Sequence, residues 1–258
     1  MTPAMLDRYA DDLNRDGICV IRELFDPALI RAWHGAFTEL FEDRARRPGG
    51  LAPREKARFY VTLPWQAPFS SPAVFAHPVI LGILDRVFAQ EYVMVQLGAD
   101  TPLQGSEYQP IHRDYRPLFS DDFTTPLYAL AVNVPLVDVT KDRGPFEMAR
   151  GTHRMPKAEA LARVERGEIA METFLMNAGD VMIRTPLALH RGTPNHTAMP
   201  RPMVVMGYAM HWLRTPKVDL RVPRGEYERL PEGTRRLLRC EVVDALEYHP
   251  ESYLEFKY

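Results

Sequence analysis

His112, Asp114 and His190 are the residues of this sequence whose types and spacing favour a metal site. In His112-Arg113-Asp114 an imidazole and a carboxylate stand two positions apart, and residues i and i+2 of a β-strand point to the same face. Both side chains can therefore reach one ion. A third ligand from a neighbouring strand completes a facial triad, which leaves three positions of an octahedral iron open.

The His-x-Asp motif is too short to identify a site by itself. Eight histidines and 34 acidic residues yield roughly one His-x-Asp or His-x-Glu by chance in this length. A second match, His249-Pro250-Glu251, is such a chance occurrence, because its central proline cannot donate to a strand ladder. His112 and Asp114 differ from it because His190 ends a later apolar strand and Arg201 begins the next one.

Arg201 adds an anion-binding group to this set. If His190 and Arg201 lie on adjacent antiparallel strands joined by the loop 192–200, both side chains enter one pocket. A guanidinium makes two parallel hydrogen bonds to a carboxylate. The sequence therefore predicts a pocket for a small dianion, with one end on the metal and the other on Arg201.

Capping residues and apolar periodicity predict three N-terminal helices. Each begins with a residue that can cap the helix, followed by a proline at the first helical position. The predicted helices cover 2–16, 26–46 and 71–88, and a short strand at 18–21 separates the first two.

From residue 92 onward, short apolar runs separated by Gly, Pro and Asp predict β-strands. The predicted strands are 92–97, 108–114, 127–134, 173–175, 181–184, 188–191 and 203–212, with a helical insertion at 156–167. Many short strands without regular helical crossovers favour an antiparallel sandwich or barrel. We therefore expect one domain over 1–258, with a mostly helical part (1–90), a β core (91–214) and a C-terminal tail (215–258).

Composition excludes several classes of protein. The net charge is −2, without the basic surplus that nucleic-acid or anionic-membrane binding requires, so neither partner is expected. No apolar stretch approaches the roughly 18 residues of a membrane span, and the acidic N-terminus does not resemble a signal peptide. Cys19 and Cys240 form no disulfide framework, which favours a reducing, cytoplasmic setting. The sequence also lacks a phosphate-binding glycine loop and a nucleophile elbow.

Several segments, taken together, resemble the phytanoyl-CoA dioxygenase family of Fe(II)- and 2-oxoglutarate-dependent oxygenases. The resemblance is carried by 16–27, His112-Arg113-Asp114, 137–153, Asn177-Ala178-Gly179-Asp180, His190, Pro194-Asn195 and Arg201. It implies a mainly β protein with flanking helices, built on a double-stranded β-helix, which is a jelly roll of the cupin-like type. Within it, His153 is expected to belong to a structural turn.

The resemblance also implies the roles of the site residues. His112, Asp114 and His190 are expected to hold Fe(II) and to form the catalytic centre, while Arg201 pairs the distal carboxylate of 2-oxoglutarate. O2 is the second cosubstrate. Family members often carry a small hydroxyl residue two positions after the distal histidine, where this chain has Gly192. Thr193 is predicted to replace that contact, and Asn133 is a further predicted cosubstrate ligand.

The implied reaction is hydroxylation of an unactivated C–H of a small molecule, with release of succinate and CO2. Asp114 argues against a halogenase, because a halide takes the position of that carboxylate. Desaturation and ring closure remain open, and so does the oligomeric state. Natural-product intermediates are the expected substrates. If Arg113, Arg184 or Arg191 enters the cavity, the substrate is acidic; on a regular strand Arg113 points away from the metal.

Residues near the motif are candidates to line the mouth of the site. They are Tyr108, Gln109, Arg113, Tyr115, Arg116, Phe119 and a loop at 58–65. Two alternatives to the oxygenase remain: a cupin-like metalloenzyme with another cosubstrate, and a silent barrel that acts as a binding module. The spacing of Arg201 from His190 argues against the first, and the retention of all four site residues argues against the second.

Overall fold

The computed structural model describes residues 1–120, 125–214 and 218–247 of the chain. Its helices are α1 (Pro3–Asp16), α2 (Pro27–Arg46), α3 (Pro72–Phe75), α4 (Pro78–Phe88), α5 (Lys157–Glu165), α6 (Arg224–Arg229) and α7 (Glu232–Leu237). Its strands are β1 (Ile18–Ile21), β2 (Pro53–Glu55), β3 (Arg58–Thr62), β4 (Tyr92–Pro102), β5 (Ala129–Pro135), β6 (Phe146–Met148), β7 (Glu172–Phe174), β8 (Val181–Arg184), β9 (His190–Gly192), β10 (Met203–Met210), β11 (Leu220–Pro223) and β12 (Cys240–Val243).

The first two helices begin where the capping signals predict. The Thr2 hydroxyl accepts from the backbone N–H of Met5, and α1 ends at Gly17, whose φ of 81° is in the left-handed region. At the start of α2, the Asp26 carboxylate accepts from the backbone N–H of Ala28. The single helix predicted over 71–88 is wrong: it divides into α3 and α4, because Pro78 cannot continue a helix and begins a new one.

Two antiparallel sheets form the β core. The larger has seven strands in the order β1-β8-β5-β10-β4-β3-β2, and the smaller has three in the order β7-β6-β9. Alternate residues of β10 face opposite sides: Val204 and Met206 pack with the N-terminal helices in the main hydrophobic core. Met203 belongs instead to an inner cluster, which includes Met148 and Phe174 of the smaller sheet. The sheets therefore face each other as a sandwich, with helices outside, as predicted.

β3 (Arg58–Thr62) lies within the segment 58–65, for which the sequence predicts a loop lining the mouth of the site, and the loop assignment is wrong for these residues. β3 pairs antiparallel with β4 along its whole length, from Arg58 opposite Pro102 to Thr62 opposite Gly98. Because directly opposed residues share a face of the sheet, Arg58 points to the same side as Asp100, two residues before Pro102. A charged side chain is thereby brought between the sheets.

The predicted C-terminal tail contains regular structure within 218–247. There β11 and β12 pair in parallel, with α6 and α7 between them in sequence. Across the described residues, no helix combines the length and apolar character needed to span a bilayer.

Candidate metal centre

Three side chains converge between the two sheets. One ligand atom each from His112, Asp114 and His190 lies within 4.8 Å of the other two. The Nε2 atom of His112 is 3.5 Å from Oδ1 of Asp114, and Nε2 of His190 is 3.3 Å from Oδ2. Both histidines are buried. Two imidazoles and one carboxylate around a common point form a facial triad.

Backbone carbonyls hold both imidazoles in the form that binds a metal. Nδ1 of His112 lies 2.7 Å from the carbonyl oxygen of Pro110, and Nδ1 of His190 lies 3.0 Å from that of Ala188. A carbonyl oxygen only accepts, so each Nδ1 carries the proton. Each Nε2 lone pair is consequently directed at the common point, which is the arrangement that orients histidine ligands in metal sites.

The charge states of the triad also fit a divalent cation. Burial lowers the pKa of His190 to about 4, so the imidazole is neutral at pH 7. Burial works against the charged form of Asp114, but the charged Arg184 guanidinium at 3.0 Å opposes it, and the pKa of Asp114 lies well below its ordinary value. A neutral imidazole and an ionised carboxylate are the forms that coordinate metals. The donor set therefore fits Fe(II).

The strand predicted over 108–114 is wrong, although the two ligands converge as expected. Within the described residues its β pairing is one isolated bridge between His112 and His190. Pro110 has no N–H to donate, which prevents a continuous ladder. The backbone N–H of His112 donates to the His190 carbonyl at 3.0 Å, and that of Asp114 donates to the Pro186 carbonyl at 2.9 Å. These two bonds bring the ligands to one side without a regular strand.

The predicted hairpin between His190 and Arg201 is wrong. β9 belongs to the smaller sheet and pairs with β6, whereas β10 belongs to the larger sheet. Arg201, just before β10, donates from Nη2 to Oδ2 of Asp100 at 3.1 Å and from Nε to the Gly144 carbonyl at 3.1 Å. The guanidinium is 2% exposed. The sandwich, rather than one sheet, places it opposite β9.

Arg58 and Asp100 complete a charged cluster with Arg201. Arg58 donates from Nη1 to the same Oδ2 of Asp100 at 2.9 Å and from Nη2 to the Thr193 carbonyl at 2.8 Å. Burial disfavours the charged form of Asp100, but Arg58 and Arg201 outweigh it and keep the pKa of Asp100 below its usual value. Sequence reasoning included Arg58 only as part of the segment 58–65 at the mouth of the site, and it missed Asp100 and the pairing between them.

The other two predicted cosubstrate residues, Thr193 and Asn133, are both buried. The Thr193 hydroxyl donates to the Pro145 carbonyl at 2.8 Å. Asn133 lies opposite Met182 of the inner cluster, so it faces the space between the sheets. Its Oδ1 atom is buried without a hydrogen-bond partner among the described residues.

Of the three arginines that could indicate an acidic substrate, Arg184 contacts the triad. It is 8% exposed, and its Nη2 donates to Oδ2 of Asp114 at 3.0 Å. Its guanidinium carbon lies 4.9 Å from the centroid of the Phe146 ring. Nε and Nη1 are buried and have no hydrogen-bond partner within the described ranges. The N–H groups on these two nitrogen atoms of Arg184 are therefore available to a bound molecule next to the triad.

Arg113 and Arg191 are bound by other groups. Arg113 donates to the carbonyls of Thr152 and Met155. Arg191 pairs with Glu147 at 2.7 Å.

The remaining predicted residues lie at the edge of the site or elsewhere. Gln109 accepts from the Gly192 N–H at 2.8 Å, while Tyr108 and Phe119 are more than half exposed. His153 lies beside Gly17 at the end of α1 and is outside the triad. The His249-Pro250-Glu251 match lies outside the described residues.

The phytanoyl-CoA dioxygenase (PhyH) family matches residues 13–203, which is more than half of the chain and contains the whole triad. The chain belongs to the phytanoyl-CoA dioxygenase family. Membership and the triad together identify it as a 2-oxoglutarate-dependent dioxygenase with iron as its metal, and the predictions of enzyme class and cofactor are confirmed. The silent-module alternative is thereby set aside.

Three solved structures share the fold. They are the epimerase SnoN from nogalamycin biosynthesis (21% identity, TM-score 0.64, covering 81% of this chain and 82% of that one), the carbocyclase SnoK from the same biosynthesis (20%, 0.65, 81% and 86%) and HygX from Streptomyces hygroscopicus with nickel, 2-oxoglutarate and hygromycin B bound (16%, 0.63, 80% and 88%). SnoN and SnoK are described as non-heme α-ketoglutarate-dependent enzymes. The predicted fold of this phytanoyl-CoA dioxygenase family member, a β-helix core with N-terminal helices, is confirmed.

Proposed function

We propose that this protein hydroxylates an unactivated C–H of an acidic small molecule, with Fe(II) held by His112, Asp114 and His190 and with 2-oxoglutarate as cosubstrate. The convergence of two Nε2 lone pairs and one carboxylate on a single point is the observation that carries the proposal. When bound, Fe(II) with 2-oxoglutarate supplies the oxidation by O2, with release of succinate and CO2.

The residues of the chain supply position and charge. Asp114 would hold Fe(II) through its carboxylate. Arg184 orients this carboxylate, because Nη2 of Arg184 donates to Oδ2 of Asp114 at 3.0 Å. Arg201 pairs the distal carboxylate of the cosubstrate, and the unused amide oxygen of Asn133 and the Thr193 hydroxyl are the proposed polar contacts along it. The apolar inner cluster beside the triad excludes water from the reacting groups.

The acidic character of the substrate is inferred from Arg184. A buried guanidinium with unused N–H groups favours a carboxylate or phosphate as its partner. A natural-product intermediate is the proposed class, because SnoN and SnoK act in the biosynthesis of one natural product and HygX binds another. We also propose a cytoplasmic setting, which the two free cysteines support.

The cofactor assignment is tested anaerobically. Fe(II) and then 2-oxoglutarate are added to the metal-free protein, and the visible charge-transfer band of a chelated keto acid is recorded. His112→Ala should abolish the band, while His196→Ala, which removes an exposed histidine, should keep it. Iron binding without the band would indicate another cosubstrate, and a protein that binds no iron would contradict the proposal.

The substrate class and the reaction are tested together. Compounds are screened as matched pairs of a carboxylic acid and its primary amide, with succinate release as the readout. We expect succinate release with the acids only, and we expect Arg184→Met to abolish it. Succinate release with the amides would refute the proposed acidic substrate. Product mass then identifies the reaction: a gain of one oxygen for hydroxylation, a loss of two hydrogens for desaturation or ring closure, and no change for epimerisation.

A further inference from the structure

Four residues on four adjacent strands form a row across the inner face of the larger sheet. Arg184 of β8 lies opposite Ala131 of β5. Gly207 of β10 lies opposite Ala131 on one side and opposite Gln96 of β4 on the other. Directly opposed residues share a face of a sheet, and Arg184 reaches Asp114 between the two sheets. The whole row therefore faces the space between the sheets, and its Arg184 end lies at the triad.

The middle of this row has almost no side-chain volume. Ala131 has only a methyl group, and Gly207 has no side chain. Ala131 is buried, yet it belongs to none of the apolar clusters that the described residues form. Neighbouring strands lie about 4.8 Å apart, so the two outer strands of the row, β8 and β4, are about 14 Å apart. The larger sheet thus has a low floor between two polar side chains.

Gln96 lies flat over Gly207 instead of standing up from the sheet. A Cβ atom on Gly207 would lie 2.9 Å from both Cβ and Oε1 of Gln96, which is closer than real Cβ atoms come. Nε2 of Gln96 donates to the Tyr60 hydroxyl at 2.6 Å. The Tyr60 ring lies over Gly98 in the same way, because a Cβ atom there would be 2.6 Å from Cζ. Two glycines on neighbouring strands therefore let this pair lie along the sheet, with Oε1 of Gln96 above β10.

Both ends of the row have hydrogen-bonding capacity that the described residues do not use. Arg184 is 8% exposed, and its Nε and Nη1 atoms have no partner there. Oε1 of Gln96 accepts no hydrogen bond from these residues, since the bond of the amide is made by Nε2. Oε1 lies above β10, two strands from β8, so the two ends are about 10 Å apart. A molecule that uses both ends needs an anionic group for Arg184 and a hydrogen-bond donor for Gln96.

We propose that Gln96 is a specificity-determining residue of the substrate site, whose Oε1 accepts a hydrogen bond from a hydroxyl or amino group of the substrate. The acidic group of the same molecule lies on Arg184, so the inference rests on the proposed function. It narrows the substrate class to hydroxy acids and amino acids whose two polar groups are separated by up to about 10 Å.

The test uses three eight-carbon acids, octanoate, 8-hydroxyoctanoate and 8-aminooctanoate, which differ only at the end remote from the carboxylate. Their dissociation constants are measured by calorimetry with anaerobic Fe(II) protein that contains 2-oxoglutarate. 8-Hydroxyoctanoate should bind about 2- to 10-fold more tightly than octanoate, the size of one neutral hydrogen bond. Gln96→Leu should abolish this preference and leave the affinity for octanoate almost unchanged.

The ratio of the constants separates recognition from scaffolding. A purely structural Gln96 would leave the preference intact in Gln96→Leu, and that result would overturn the inference. Gln90→Leu is the matched control, because it makes the same change at an exposed glutamine just after α4, and its ratio should equal that of the wild type. If Gln96→Leu does not fold, Gln96→Glu, which is similar in shape, should shift the preference toward 8-aminooctanoate, since a carboxylate pairs with an ammonium group. An unshifted preference in Gln96→Glu would count against the inference.

Gly207→Ala tests the position of the amide without changing its chemistry. Its Cβ displaces Gln96, so the preference for 8-hydroxyoctanoate should fall, and an unchanged preference would contradict the inference. Gly35→Ala is the control, because a Cβ atom on Gly35 of α2 meets no other atom within 4 Å. Wild-type protein that binds all three acids without preference would overturn this inference alone. Wild-type protein that binds none of them would instead refute the acidic substrate of the proposed function.

Discussion

Asp114→Ala should affect both iron binding and the stability of the metal-free protein, for separate reasons. Asp114 supplies one of three metal ligands, so its loss abolishes Fe(II) binding. It also neutralises the buried guanidinium of Arg184, which donates to it at 3.0 Å. Its removal leaves that charge between the sheets with the face of the Phe146 ring as its remaining described contact.

The size of the stability loss follows from this geometry. Breaking a buried ion pair by removing one partner costs about 3–5 kcal/mol. The Arg184 side chain is 9% exposed and keeps its ring contact, so we expect a value near the lower end of that range, about 3 kcal/mol. At about 2.1 cal/mol/K per residue, a chain of 258 residues unfolds with about 0.54 kcal/mol/K, so the melting temperature should fall by about 6 °C.

The assay is thermal denaturation of chelator-treated protein for Asp114→Ala, Arg184→Met and the double variant. The double variant should recover most of the lost stability, because methionine fills the space without a charge, but it should still bind no iron. A melting temperature for Asp114→Ala within about 1 °C of the wild type would refute the reasoning, since it would mean that Arg184 is not buried against this carboxylate.

Three further predictions concern groups outside the metal centre. Asp180 is fully buried and accepts from Arg22 and from two backbone N–H groups, so Asp180→Ala should lower stability by about 3 kcal/mol in denaturant unfolding; a loss below about 1 kcal/mol would contradict this. Burial lowers the pKa of His153 from 6.5 to about 4, so the unfolded chain binds more protons between these values. Stability should therefore fall as the pH drops from 6.5 to 4, and His153→Gln should lessen this fall in metal-free melts; an unchanged pH profile would argue against it. Burial raises the pKa of both thiols, but Cys19 is 5% exposed, so mass spectrometry after thiol labelling should find Cys240 modified first and Cys19 only after unfolding.

Local signals in the sequence were sufficient for the first helices and for several strands. The proline and capping residues at the start of α1 and α2, and the glycine after α1, act within one helical turn, so no distant contact is needed to read them. The apolar run of β8 was predicted with its observed bounds. By the same local logic, Pro78 should have divided the third helix.

The elements that were predicted wrongly depend on partners far away in the sequence. β3 is a strand because β4 pairs with it, and nothing within 58–65 signals that partner. The assumed hairpin between His190 and Arg201 failed because β9 and β10 enter different sheets of the sandwich. Strand pairing is set by contacts between distant segments, which a local pattern does not contain.

The sequence by itself determined the chemical identity of the site. The types and order of His112, Asp114, His190 and Arg201 indicated a metal and a dianion before any strand was placed. Only the tertiary structure decided what surrounds them: Arg184 lies against Asp114 of the triad, and the Arg58 guanidinium fills the space that Gly192 leaves open. The physical reason is that burial and charge balance are properties of a packed interior, where side chains remote in sequence share one small volume.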